Sequence, residues 1–163
     1  MEPFEIIGTA AAVLQLADAA AKTSIHLYEI VSTIKNAPKE IIVLKRDIQA
    51  LRKLLENLEN ALKSRETRRV VDQDEDVRKS MEGLKELIET CDGACREVIQ
   101  RLKPYSQKGG FEDETKGEGT DRLASIRWFF TRRSILASVD DLQRSKFLLS
   151  DSMGSITLYV LFF

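Results

Sequence analysis

Beyond Pro38 the apolar residues fall at Ile41, Leu44, Ile48, Leu51, Leu55, Leu58 and Leu62. The steps alternate between three and four residues. That spacing lays one apolar stripe along one helix face, as the a and d positions of a heptad do. A later run repeats it at Val77, Met81, Leu84, Ile88, Cys91, Cys95, Val98 and Leu102. A strand would alternate with period two, and neither run does. Both read as helices with one buried face.

The first segment is apolar over more of its surface. One stripe holds Ile6, Ala10, Val13, Ala17, Ser24, Leu27, Val31 and Ile34. A second beside it holds Phe4, Ile7, Ala11, Leu14, Ala21, Ile25 and Tyr28. A helix of that kind needs several neighbours at once. The last segment starts a stripe at Leu123, Ile126 and Phe130. It continues in shifted phase at Val139, Leu142, Leu149, Met153, Ile156, Val160 and Phe163. The shift falls at Thr131-Arg132-Arg133 and predicts a kink or short break there. Thr131 or Ser134 would cap the fresh helix.

Proline marks the joints. Pro3 suits the first turn of a helix, and Pro38 marks a helix–helix corner. Pro104 opens "PYSQKGGFEDETKGEGT", which holds four of the eight glycines, mixed charge and little to bury. Residues 104–120 are therefore expected to be a flexible loop. The fold expected is all-α. It is an antiparallel bundle of four long helices, the fourth kinked or split, in one domain spanning 1–163.

The opening "MEPFEIIGTAAAVLQLADAAAKTSIHLYEIV" has no Lys or Arg before Lys22. An export signal needs positive charge ahead of its apolar stretch, and here Glu2 and Glu5 stand there. A membrane span needs roughly 20 consecutive apolar residues. The uncharged run from Ile6 to Ala17 is shorter, and Asp18 ends it. Two roles remain, a core helix or a latent membrane element. Residues 3–21 would measure about 28 Å as a helix, close to a hydrocarbon core. The residues that would carry such a membrane or oligomer helix are Phe4, Ile7, Ala11 and Leu14. Asp18 opposes insertion.

Charge adds one exclusion. Acidic and basic residues nearly cancel, 26 against 25, so no bulk attraction to nucleic acid is expected. Two cysteines and no export signal suggest a reducing, cytoplasmic setting. Catalytic chemistry is also poorly provided for. The glycines sit in an acidic loop with no strand before them, unlike a phosphate-binding loop. Cys91 and Cys95 share a helix face, but a structural zinc needs four ligands and no second pair exists. Both lie on the core stripe, which makes them packing thiols. His26 has no nucleophile motif beside it. Asp74-Glu75-Asp76 and Asp140-Asp141 read as solvated or helix-N-terminal charges. No enzyme activity, cofactor or metal is expected.

Two basic clusters remain. "KSRETRR" (63–69) is expected to close the second helix, where positive charge suits the dipole. In "RWFFTRR" (127–133), Arg127, Trp128, Phe129, Arg132 and Arg133 combine aromatics with arginine as interfacial membrane elements do. A core helix with inward aromatics and outward arginines shows the same pattern.

"MEPFEIIGTAAAVLQLADAAAKTSIHLYEIVSTIKNAPKEIIVLKRDIQALRKLLENLE" resembles the N-terminal, HeLo-like domains of fungal STAND proteins, which are NOD-like receptors. "FFTRRSILASVDDLQRSKFLLSDSM" is similar to their closing helix. The resemblance implies a non-enzymatic effector domain that self-associates and triggers regulated cell death. Its implied partners are further copies of itself, anionic membrane lipids, and a nucleotide-binding module of the same or another chain. Nucleic acid is not among them. The implied place is the cytoplasm, with recruitment to a membrane on activation. The alternative is a protein-interaction or dimerisation module with no membrane activity.

Overall fold

The computed structural model describes residues 8–34, 37–107 and 117–162, with side chains described for 8–34, 37–104 and 132–156. Five helices follow in order: α1 (Thr9–Thr33), α2 (Lys39–Lys63), α3 (Arg65–Gln73), α4 (Glu75–Gln107) and α5 (Gly117–Phe162). There is no strand among the described residues.

The two heptad runs form as their spacing predicts. All seven stripe residues of α2 are buried, and so are all eight of α4. Pro38 stands at the N-cap of α2 and makes the expected corner. Asp74 starts α4: its Oδ1 accepts from Asp76 N at 2.9 Å and Val77 N at 3.2 Å. It satisfies amides that the first turn leaves without a partner.

Several boundaries differ from expectation. "KSRETRR" does not close the second helix. Lys63 ends α2, Ser64 turns to extended backbone (φ −70°, ψ 129°), and Arg65 begins α3. The reason is that Ser64 can cap, with Oγ accepting from Thr67 N at 3.5 Å, and that Val71 then tucks into the core. Pro104 lies inside α4, which continues to Gln107, and α5 starts at Gly117. Proline removes one backbone donor, and the buried Leu102 anchors the turn before it. The expected loop is thus shortened at both ends, and residues 108–116 lie outside those described.

The fourth long helix shows no break at residues 131–133. Its described buried positions complete the second stripe. Ile135, Ser138, Val139, Leu142, Ser145 and Leu149 are all buried, so two serines occupy seam positions. Each returns its hydroxyl to the helix: Ser138 Oγ donates to Ser134 O at 3.2 Å, and Ser145 Oγ to Asp141 O at 2.8 Å. That bond removes the penalty for burying a hydroxyl.

The helices form a ring in which α1 packs extensively on α2 and α4, α4 on α5, and α2 only sparsely on α5. Asp18 lies near Glu59, and Tyr28 accepts from Gln49 Nε2 at 3.1 Å, so α1 and α2 run antiparallel. Cys91 meets Ser145 while Val77 lies by Ser155 and Ile156, so α4 and α5 also run antiparallel. Glu40 pairs with Arg132 and Asp47 with Lys146, so α2 and α5 run parallel. It follows that α1 and α4 are parallel neighbours. The bundle is therefore not antiparallel at every interface. The small α3 packs against α1, α2 and α4.

Candidate interaction surfaces

Helix α1 is a core element. Ala10, Val13, Ala17, Ala20, Ala21, Leu27 and Val31 are buried, and the small side chains let α4 approach closely. Of the expected membrane-helix residues, Phe4 and Ile7 lie outside the described region, and Ala11 and Leu14 are half-buried. Asp18 keeps half its side chain in solvent and pairs with Lys22 at 2.9 Å. That hydrogen bond holds the Lys22 ammonium above its usual range. Among the described residues no helix is long and apolar enough to cross a membrane.

The basic–aromatic cluster is only partly described. Arg127, Trp128 and Phe129 belong to α5, but their side chains lie outside the described set. Arg133 is exposed, and Arg132 pairs with Glu40 of α2. A backbone hydrogen bond, then Arg132, lowers the Glu40 carboxyl below its usual range. Arg132 therefore bridges two helices.

Cys91 and Cys95 are free and buried, and burial pushes each thiol up to about 12. No group of His, Cys, Asp or Glu able to hold a metal ion occurs among the described residues. His26 is exposed beside Lys22, Arg96 and Lys103, in a shallow polar groove between α1 and α4. Arg96 there is already paired with Asp92 at 2.8 Å.

The least closed part of the ring is the α2/α5 seam. Along α2 the face toward α5 reads Glu40, Val43, Asp47, Ala50, Leu54, Asn57 and Ala61. This second stripe keeps the three–four spacing but carries small and polar residues, so hydrophobic periodicity alone misses it. Asp47 accepts from Gln143 Nε2 at 2.7 Å and from Lys146 Nζ at 2.9 Å. Ala50 and Ser150 are too short to fill the space beside them. A groove of about 360 Å³ remains, bordered by Lys53, Leu54, Asn57, Lys146 and Phe147. Further along, Leu58, Leu62, Val71, Met81, Met153 and Ile156 line an apolar cleft of about 250 Å³. Phe147 is 69% exposed on the groove's rim, with Ile42, Val43 and Leu148 exposed on the same two helices.

These features define an all-helical bundle domain in which α2 and α5 pack sparsely and leave a groove between them. Residues 4–118 match the family described as pigment biosynthesis cluster protein PigL N-terminal, and the chain belongs to that family, a fungal-associated helical domain. The matched span takes in α1 to α4 and reaches the start of α5. No curated protein and no solved structure matches the chain.

Proposed function

We propose that the chain is a non-enzymatic N-terminal signalling domain of a fungal receptor, of the HeLo-like, STAND-associated kind, and that it works by self-association. The observation that carries this reading is the set Ile42, Val43, Phe147 and Leu148, left in water on adjacent helices. Large apolar side chains left exposed on two neighbouring helices, with Phe147 beside an open groove, suit a surface that is covered when the protein acts. Membership of a family of N-terminal domains supports a role as the front module of a longer protein. The sequence resemblance supplies the receptor context. A nucleotide-binding module would then cluster the domains, and clustering would produce the output.

The experiment is forced clustering. The chain is fused to a drug-inducible oligomerisation module and expressed in fungal cells. Loss of viability on adding the drug, absent with the module alone, is the expected result. Normal growth with the fused protein abundant and clustered would overturn the reading.

One observation favours a second reading, in which α1 leaves the bundle for a membrane. Four of its buried residues, Ala10, Ala17, Ala20 and Ala21, are alanines, so release exposes less apolar area than a Leu-rich helix would. Dye release from anionic liposomes by the clustered protein tests it. Leakage abolished by Leu14→Glu would support it, and intact liposomes would dismiss it.

A further inference from the structure

We infer that the α2/α5 groove is a homotypic docking face, filled by Phe147 from a second copy of this chain. The inference rests on the self-association reading above and names the surface that would carry it.

Knob and hole lie side by side. Phe147 projects from the rim, and the space left by Ala50 and Ser150 opens next to it. A two-fold interface uses the same patch on both copies, so each must bring both halves of the fit. This face does, which favours a second copy over an unrelated partner. Leu54, half-buried at the groove's edge, gives an incoming ring apolar contact.

Charge points the same way. The α2 rim carries Arg46 and Lys53, and the α5 rim carries Asp151 together with Arg133, Asp140 and Arg144. Arg144 already engages Asp140 at 3.2 Å, whereas Lys53 and Asp151 have no ion pair among the described residues. Because α2 and α5 run parallel, a two-fold axis along the bundle sets α2 of one copy against α5 of the other at the same level. Lys53 borders the groove together with Ser150, so it comes level with Asp151 of the second copy. Rim pairs of this kind fix register more than they add affinity.

The test is sedimentation velocity at a concentration where the wild type is mostly associated. Phe147→Ser, Lys53→Asp, Asp151→Lys and the groove-filling Ala50→Trp should each raise the dissociation constant about tenfold or more. The double variant Lys53→Asp/Asp151→Lys should return toward wild type. All these positions are exposed, so circular dichroism and melting should match the wild type. If the wild type associates and the variants associate equally, this face is not the interface while self-association stands. If the wild type is monomeric throughout, both fail. Weakening by both charge reversals without rescue in the double variant would also overturn the pairing.

Discussion

Asp47 on α2 accepts hydrogen bonds from two side chains of α5, Gln143 at 2.7 Å and Lys146 at 2.9 Å. Toward the N-terminus of α2, Glu40 meets Arg132. Among the described residues the other ion pairs are all i,i+4 pairs within one helix. Apolar stripes hold α1, α2 and α4 together, whereas the N-terminal half of the α2/α5 seam is bridged by charged and polar side chains. Asp47 and Lys146 retain only 19% and 25% of their side-chain exposure, so water screens them less than a surface pair.

Asp47→Ala should therefore lower stability in urea by about 1–2 kcal/mol, since it leaves a half-buried ammonium without a partner. Lys146→Met should cost less, because Asp47 keeps Gln143 and the methionine replaces the aliphatic stem. Equal, negligible effects would show that the seam is not held this way.

Leu51 is 1% exposed on the α2 stripe. Leu51→Asp places a charge with no partner in the core and should cost several kcal/mol, enough to leave little folded protein. Thermal melting followed by circular dichroism reads it. An unchanged transition would contradict the packing described.

The N-terminus of α1 is served from α3. Asp72 Oδ1 accepts from Ala10 N at a long 3.4 Å, and Gly8 makes room for it. A methyl group on Gly8 would come within 2.9 Å of Asp72 Oδ2. Gly8→Ala and Asp72→Ala should each cost about 0.5–1 kcal/mol, as loss of a helix cap does. The double variant should cost little more than either, because both remove one contact. Additive losses in chemical denaturation would separate the two residues.

The buried thiols give a pH signature. Their ionisation lies near 12 in the folded chain against 9.0 unfolded, because burial disfavours the thiolate. The folded state holds these protons more tightly. Stability should be unaffected by them below pH 9 and should fall as pH rises from 9 toward 12. The variant Cys91→Ala/Cys95→Ala should lose that part of the alkaline slope. At pH 8 a thiol reagent should label neither cysteine in the native protein and both in denaturant. Rapid native labelling would place a thiol in solvent.

The all-helical class and the buried faces of α2 and α4 were legible in the sequence because apolar residues recur at three–four spacing without a gap. The core stripe of α1 was legible more loosely, from small and apolar residues on a helix broadly apolar around its surface. What stayed hidden had a physical cause in each case. Ser138 and Ser145 hold seam positions of α5 by bonding to their own helix, so a reading of apolar residues leaves gaps in that stripe, and the change of phase before Ile135 is carried by a continuous helix without a break. Ser64 looks like one more polar residue in a basic run until its cap separates α3 from α2. Pro104 suggests a helix end, but one missing donor does not stop a helix anchored by Leu102. The α2/α5 groove was the hardest to see, since its stripe is marked by small and charged residues, Ala50 and Asp47 among them. Arg132 was read as part of a basic–aromatic membrane cluster, and its ion pair with Glu40 stayed hidden because that partner lies far away in the chain.

Self-association is read most directly from the mass of the native protein in solution. Sedimentation equilibrium over nanomolar to high-micromolar concentrations should give a weight-average mass that climbs from the 18.5 kDa of one chain toward at least twice that value. A constant mass of one chain across the whole series would contradict it.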